Sequence, residues 1–162
     1  MKIYLAGSCA PYRRARMEAV AKELRDHGHI VYCPFELKIE NAWNYSQEEW
    51  AQKVFDCDIM AIDSCECMVM ISEGRSSTAG TNFEQGYAYA KGKPVFVFQY
   101  SNANASLMTY CGCDKFFGWL RSSCGETDEE CAEYIGQFPF EDVINKTGKY
   151  PLEKGEAYVT LT

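Results

Sequence analysis

The fold is decided by residues 67–99, which read CMVMISEGRSSTAGTNFEQGYAYAKGKPVFVFQ. An apolar run, Cys67–Ser72, begins this stretch, and a second one, Pro94–Phe98, ends it. Both runs are apolar on both faces, which is typical of parallel strands covered by helices on each side. Between them, the polar segment Glu73–Gly80 leads into a helical pattern at Phe83–Lys91 that a glycine stops. The stretch therefore predicts a strand–helix–strand unit.

The same alternation of strands and helices extends to the start of the chain. Strands are predicted at Lys2–Ala6 and His29–Tyr32, and helices at Arg13–His27 and Gln47–Met60. The order β-α-β-α-β-α-β predicts a parallel sheet with right-handed crossovers. We therefore expect one domain over residues 1–162, an α/β three-layer sandwich with a central parallel sheet of about five strands.

The sequence also predicts the inner face of the second helix and the elements that follow Tyr110. Trp50, Val54 and Phe55 are predicted to form the inner face of the second helix. After Tyr110 the pattern predicts only short elements. These are helices at Glu129–Gly136 and Phe140–Thr147, and a terminal strand or tail at Ala157–Leu161.

The composition is that of a small globular protein. The chain has 162 residues, with 16 Lys and Arg against 23 Asp and Glu, and thus a formal charge of −7. An acidic chain is a poor match for a polynucleotide binder, which relies on phosphate contacts. No apolar run reaches the roughly 18–20 residues that a membrane span needs, and Met1 leads directly into a predicted strand. We therefore expect a cytoplasmic protein with neither a nucleic-acid polymer nor a membrane as partner.

Residues 76–88, SSTAGTNFEQGYA, carry the chemistry. They leave the carboxyl end of a buried strand, where open parallel sheets bind ligands, and start a helix with Glu84 in its first turn. One interpretation is structural, because Thr81 and Glu84 fit a capping box. The other is functional: the helix N-terminus keeps Glu84 ionised, and its carboxylate can attack an acetal-like carbon. Gly86 would let the chain or a ligand approach closely.

A second carboxylate is needed for most reactions of that kind. Asp56 and Asp58 lie near the end of the second predicted helix. Asp58 follows Val54 by four residues, so it shares the predicted inner face and can point toward the same edge of the sheet. The alternative is that both aspartates are solvated residues at a helix end.

These residues together resemble the nucleoside 2-deoxyribosyltransferase family. The resemblance rests on Lys2–Gly7 (KIYLAG), on Asp58 and on Gly80–Ala88 (GTNFEQGYA), and it covers roughly residues 1–110. It implies a flavodoxin-like or Rossmann-like fold, in agreement with the predicted strand order. It also implies cleavage of the N-glycosidic bond of deoxynucleosides through a covalent deoxyribosyl–enzyme ester. The sugar then passes to another base or, in some branches, to water.

The resemblance implies roles for three residues. Glu84 matches the family nucleophile, and Asp58 matches the carboxylate that handles the proton of the departing or arriving base. Tyr4 matches an aromatic residue whose hydroxyl positions the nucleophile. Two carboxylates beside an anomeric carbon are the arrangement of a retaining glycosidase, in which two displacements preserve the sugar configuration. The resemblance further implies a homo-oligomer, from dimer to hexamer, with sites completed by a neighbouring subunit.

Two positions depart from the transferases and resemble a sister group, the 2′-deoxynucleoside 5′-monophosphate N-glycosidases. Thr78 stands where the transferases often have an aspartate, and Ser106 stands where they often have an asparagine. Hydroxyl groups donate hydrogen bonds to a 5′-phosphate without adding charge. The substrate is therefore open between a free deoxynucleoside and its monophosphate.

A basic run, Arg13-Arg14-x-Arg16, follows the first strand and the Gly7-Ser8 turn. It could clamp a phosphate together with backbone N–H groups, or it could be a solvated helix start. The substrate-binding residues that we expect are Gly7, Ser8, Arg13, Ser76, Thr78, Gly80, Ser106 and Met108.

Nine cysteines are the unusual feature of the composition. An odd number cannot all pair within one chain, and their spacings include no C-x-x-C. We expect reduced thiols, none of them beside Glu84 or Asp58. A zinc site is disfavoured because structural zinc ligands usually pair two to four residues apart. Neither a metal nor an organic cofactor is expected, because the carboxylate pair would do the chemistry and no G-x-G-x-x-G fingerprint follows the first strand.

The sequence leaves the roles of two aromatic residues undecided. Tyr158 is similar to a late tyrosine that enters the site in some family members. Trp43 could stack on a base, or it could belong to the core or to a subunit interface.

The chain could be a non-catalytic nucleotide-binding module, since a fold alone does not establish activity. A flavodoxin-like redox protein is disfavoured, because only Cys9 lies near a helix N-terminus that would lower its pKa.

Overall fold

The computed structural model describes residues 1–118, 120, 125 and 127–147. Its centre is a sheet of five parallel strands in the order β2-β1-β3-β4-β5. The predicted α/β architecture with a central parallel sheet is therefore confirmed. The strands are β1 Lys2–Ala6, β2 Ile30–Tyr32, β3 Cys67–Ser72, β4 Val95–Gln99 and β5 Lys115–Phe117.

The helices lie between and after the strands. None of the described helices is long and apolar enough to cross a membrane. Among the elements predicted near the chain's end, both short helices are confirmed, whereas Ala157–Leu161 and Tyr158 lie outside the described residues. The α-helices of the described residues are α1 Arg14–Asp26, α2 Gln47–Ser64, α3 Ala79–Ala90, α4 Leu107–Cys111, α5 Asp128–Gly136 and α6 Phe140–Thr147.

Successive strand residues point to opposite faces of the sheet, and this alternation builds two hydrophobic cores. On one face, Leu5 of β1 packs with Leu24 of α1 and Ile135 of α5. On the other face, Tyr4 of β1 packs with Ala88 of α3 and with the end of α2. The three layers are therefore helices, sheet and helices.

The predicted inner face of α2 is wrong. Trp50 is 40% exposed and Phe55 is 47% exposed, while Val54 is half-buried. Ile62, near the C-terminal end, is the buried residue of this helix. Only the last turns of α2 contribute to the core, so the helical period alone misplaces its buried residues. The first turns of α2 consequently leave apolar side chains exposed.

Two glycines shape the loops that follow β1 and β3. A Cβ atom at Gly7 would lie 2.4 Å from the Met17 sulfur, so a larger residue there would require the Met17 side chain of α1 to move. Gly74 has a φ of +63°, and a Cβ there would lie 2.9 Å from the Asn104 carbonyl oxygen. Both loops are thus held tightly at the carboxyl edge of the sheet.

Candidate active site

Glu84 lies further inside its helix than the sequence predicts. α3 begins at Ala79, and Thr78 is its N-cap, with the threonine hydroxyl accepting a hydrogen bond of 3.3 Å from the Thr81 N–H. The predicted capping box of Thr81 and Glu84 is therefore wrong, because an earlier threonine caps the helix. Glu84 is not in the first turn, and it interacts instead with Tyr4 and Asp58.

The carboxyl group of Glu84 is buried beside a second carboxylate. Its Oε2 atom and the Tyr4 hydroxyl are both buried, and neither has a hydrogen bond of ordinary geometry to another described residue. Burial, followed by the negative charge of Asp58, raises the pKa of Glu84 to about 7, while the nearby Tyr4 hydroxyl lowers it. The expected ionised carboxylate at a helix N-terminus is thus replaced by a group that titrates near neutral pH.

Asp58 of α2 is this second carboxylate. The Tyr32 hydroxyl donates a hydrogen bond of 2.8 Å to Asp58 Oδ1. Burial raises the pKa of Asp58, and the hydrogen bond from Tyr32 lowers it. Asp56, by contrast, is exposed and accepts a hydrogen bond of 2.7 Å from Gln52 Nε2. Of the two candidate aspartates, Asp58 is the one that approaches Glu84.

Two stacked tyrosines support the carboxyl groups from the sheet. Tyr4 and Tyr32 are partners in the β1–β2 register, and their ring centroids lie 5.4 Å apart with an angle of 22° between the planes. Burial, and then the charges of Glu84 and Asp58, raise the pKa of the Tyr4 phenol. Burial and the hydrogen bond to Asp58 raise the pKa of the Tyr32 phenol. Both phenols therefore stay protonated, and the Tyr32 hydroxyl donates its proton to the hydrogen bond with Asp58.

Cys9 approaches the same two carboxyl groups from the loop after β1. The residue is exposed, but desolvation of its thiol, followed by the charges of Glu84 and Asp58, raises the pKa of Cys9. The Cys9 thiol makes its hydrogen bond, at 4.0 Å, to the Gly7 carbonyl oxygen, and the expectation that no cysteine lies beside Glu84 or Asp58 stays a prediction. The raised pKa disfavours a reactive thiolate.

Within the described residues, the cysteines form no disulfide with one another. In the same part of the chain, no group of three or more His, Cys, Asp or Glu side chains is arranged to hold a metal ion.

The arginines after β1 are ion-paired. Arg13 Nη1 lies 2.5 Å from the Glu73 carboxylate. Arg16 pairs with the other oxygen of Glu73 and, at 3.1 Å, with Asp128. Glu73 is only 7% exposed, so it is a buried charge held by two guanidinium groups. Arg13 is therefore not part of a solvated helix start, and its charge is already engaged.

The predicted hydroxyl residues occupy turn positions. Ser8 accepts a hydrogen bond of 3.3 Å from a backbone N–H two residues later, and Thr78 caps α3. Ser76 and Gly80 are exposed between β3 and the first turn of α3. The hydroxyl that organises this loop belongs to Ser77, which accepts from the first backbone N–H of the loop at 3.0 Å.

Ser106 and Met108 lie apart from the carboxyl groups. They line a cavity of about 500 Å³ between α3 and α4, and neither Glu84 nor Asp58 contributes to its lining. Met108 is 82% exposed. Ser106 and Met108 therefore do not share this cavity with Glu84 or Asp58 of the same chain. The lining residues are Asn82, Gln85, Gly86, Tyr89, Ser106, Met108, Thr109, Cys111 and Gly112.

Sequence reasoning missed three residues of this region. Tyr32 could have been found from the parallel register, which places it opposite Tyr4. Glu73 and Ser77 carry no signal beyond their place in a loop after a buried strand.

Trp43 is 82% exposed, which excludes its assignment to the core.

Comparison with solved structures finds similar proteins. A 2-deoxyribosyltransferase from the psychrotolerant bacterium Bacillus psychrosaccharolyticus is 25% identical, with a TM-score of 0.69 over 88% of this chain and 95% of that chain. A CMP N-glycosidase from Clostridium botulinum is 22% identical, with a TM-score of 0.45 over 61% and 71% of the two chains. A conserved protein from Enterococcus faecalis V583 is 24% identical, with a TM-score of 0.49 over 60% and 62%. No curated protein gives a significant sequence match.

The family is established by sequence. The family model described as nucleoside 2-deoxyribosyltransferase matches residues 3–145, which is most of the chain. The matched range includes Tyr4, Asp58 and Glu84 and both layers of helices, and the resemblance seen in the sequence motifs is thereby confirmed. The chain is therefore an enzyme of the nucleoside 2-deoxyribosyltransferase family.

Proposed function

We propose that this enzyme cleaves the N-glycosidic bond of 2′-deoxynucleosides through a covalent deoxyribosyl–Glu84 ester and transfers the sugar to another nucleobase. The observation that carries the proposal is the pairing of two desolvated carboxyl groups, Glu84 and Asp58, each beside a tyrosine hydroxyl. The 2-deoxyribosyltransferase of Bacillus psychrosaccharolyticus, which is 25% identical over 88% of this chain, supports the same reaction.

The first half-reaction needs one ionised and one protonated carboxyl group. Ionised Glu84 attacks C1′ of the sugar, so that a C1′–O ester bond forms and the C1′–N bond to the base breaks. Asp58 gives its proton to the departing base nitrogen, and the base leaves neutral. Burial raises the pKa of both groups, and the charge of Asp58 raises that of Glu84 further. With the pKa of Glu84 at about 7, part of the protein has an ionised Glu84 at neutral pH, and the reactive form is the one in which Asp58 holds the proton.

The second half-reaction reverses these roles. A nitrogen of the arriving base attacks C1′, the ester bond breaks, and the Glu84 carboxylate is restored. Asp58 accepts the proton that the arriving base gives up, and two inversions retain the sugar configuration. The Tyr4 hydroxyl and Glu84 Oε2 are buried without ordinary hydrogen bonds to described residues. A sugar hydroxyl group would satisfy such atoms, because native proteins rarely leave buried polar atoms unpaired.

A second candidate function is hydrolysis of a 2′-deoxynucleoside 5′-monophosphate, with water as the acceptor. The start of α3 favours it, because Thr78 caps a helix that has no acidic residue in its first turn, and helix N-termini favour anions. The hydroxyl of Ser8 is a further donor in the same chain. Against it, Arg13 is already paired with Glu73, so a phosphate has to compete with a buried carboxylate for this arginine.

The active enzyme is, in this proposal, a homo-oligomer in which a neighbouring subunit completes each site. Large apolar side chains of α3 and α4 are exposed, including Tyr89 and Met108. Gly86 lines the cavity beside them, and a Cβ there would meet no atom within 4 Å, which leaves room for a second copy to approach. Ser106 and Met108 would then serve the site of the neighbour.

Chromatographic detection of free base tests the function. The substrates are a panel of deoxynucleosides and their 5′-monophosphates, each with and without an acceptor base. We expect base exchange with deoxynucleosides, which Glu84→Ala abolishes and the exposed-loop control Glu40→Ala retains. Faster cleavage of monophosphates without an acceptor would support the second candidate. Release of no base from any substrate would contradict both.

A further inference from the structure

We propose that Tyr32 is a positioning residue, which orients Asp58 for proton transfer to and from the base. The inference rests on the proposed function, because that function makes Asp58 the proton donor and acceptor. Tyr32 ends β2 and is half-buried, and its hydroxyl donates a hydrogen bond of 2.8 Å to Asp58 Oδ1. Among the described residues, no other group donates a hydrogen bond to the Asp58 side chain.

The ring of Tyr32 is held in place by the neighbouring strand. It stacks on the ring of Tyr4 at 5.4 Å, and Tyr4 is fully buried. Because the β1–β2 register pairs the two residues, both side chains lie on the same face of the sheet. A ring packed in this way presents its hydroxyl to α2 at a fixed point. Such support from a rigid element is what a site needs in order to keep a reacting side chain in position.

A carboxyl group that transfers a proton needs one oxygen held and the other available. The hydrogen bond from Tyr32 holds Asp58 Oδ1, so Oδ2 is the oxygen left for the proton of the base nitrogen. The same hydrogen bond lowers the pKa of Asp58, whereas burial raises it. These opposed influences allow Asp58 to give up its proton to a departing base and to recover one from an arriving base.

Removal of the Tyr32 hydroxyl would leave burial as the main influence on Asp58. The expected result is a higher pKa for Asp58, which then keeps its proton to higher pH. None of the other titratable groups nearby replaces the lost donor in the described structure. These groups are Tyr4 of β1, Cys9 of the loop after β1, Glu84 of α3 and Cys57 of α2 itself.

The variant Tyr32→Phe tests the inference, because it keeps the stacked ring and removes only the hydroxyl. We expect kcat for base release to fall roughly 10- to 100-fold, as for loss of a hydrogen bond to a charged group. We expect KM to change by less than about twofold, and the basic limb of the kcat–pH profile to move to higher pH. The control is Tyr87→Phe, which removes a hydrogen bond of 3.0 Å to Asp63 Oδ1 away from the site and should change neither quantity.

A double-mutant cycle separates positioning from a general structural effect. In an Asp58→Asn background, Tyr32→Phe should add little further loss, because the hydroxyl acts through Asp58. Additive losses, an unmoved pH profile or a loss in KM alone would overturn the inference.

Failure of the proposed function has a different signature, because the wild type would then release no base at all. In that case a carbon-13 NMR titration of the Asp58 carboxyl group still decides the role of Tyr32. A pKa of Asp58 that rises in Tyr32→Phe supports the contact, and an unchanged one refutes it.

Discussion

The substitution Glu84→Gln should stabilise the fold at alkaline pH while it abolishes base release. Glutamine has the shape of a protonated glutamate and cannot ionise. Burial and the charge of Asp58 raise the pKa of Glu84 from 4.5 to about 7. That difference corresponds to about 3 kcal/mol of stability, which the folded state loses when Glu84 ionises. The variant avoids this loss but has no carboxylate to attack C1′.

The direction of the pH dependence follows from the sign of the shift. Below pH 4.5, Glu84 is protonated in both the folded and the unfolded chain, so variant and wild type should be about equally stable. As the pH rises from 4.5 to about 7, the unfolded chain releases a proton that the folded chain keeps, and the contribution of Glu84 to stability falls. Above this range the variant should exceed the wild type by up to about 3 kcal/mol.

Urea denaturation at about pH 4.5 and about pH 8 measures this difference through the transition midpoints, provided that the slopes agree. A matched control is Glu40→Gln, which changes an exposed glutamate in the loop before α2 and should show the same small difference at both pH values. An equal difference for Glu84→Gln at both pH values would refute the raised pKa. Full base release by that variant would refute the assignment of Glu84 as nucleophile.

Three further predictions concern other positions. Asp58→Asn should reduce base release roughly 10²- to 10⁴-fold, as expected for loss of an acid–base group. It should also bring the pKa of Glu84 below about 7, because the charge of Asp58 is one of the two causes that raise this pKa. An acidic limb of the kcat–pH profile that stays in place would contradict this. Glu73→Gln should destabilise the protein by about 3 kcal/mol, because two arginines lose a buried partner. A melting temperature equal to that of the wild type would argue against this account. Gly86→Phe should leave the folded chain intact but reduce the oligomer size in sedimentation experiments, since the added ring fills an open cavity. An unchanged oligomer would exclude this surface as the interface.

Most of the sheet can be predicted from the sequence, because β1 to β4 are apolar runs bounded by glycine, proline or polar residues. β5 cannot be predicted in this way, since the three residues Lys115–Phe117 are too few to show a period. Its existence follows from pairing with β4, which is a long-range contact. The prediction of the inner face of α2 is wrong for a related reason, because tertiary packing buries Ile62 near the end of the helix and leaves Trp50 and Phe55 exposed.

The start of α3 is a case in which local rules conflict. Thr78 and Thr81 both precede the helical pattern, and both are suitable caps. The spacing of Thr81 to Glu84 favours the later one, but Thr78 caps the helix. The difference changes the chemistry, since it moves Glu84 from a helix terminus into a buried position beside Asp58. There its pKa rises to about 7, a value that no local pattern predicts.

The arrangement of the two carboxyl groups suits a reaction that must run in both directions. Burial raises the pKa of both carboxyl groups, and the charge of Asp58 raises the pKa of Glu84 further, so the two groups do not both ionise easily. Each group also faces a tyrosine that lowers its pKa, Tyr4 for Glu84 and Tyr32 for Asp58. Double displacement requires ionised Glu84 and protonated Asp58 in the first half-reaction, and ionised Asp58 beside the Glu84 ester in the second. Asp58 gives its proton to the departing base and takes one from the arriving base, so the exchange of one base for another needs no additional proton carrier.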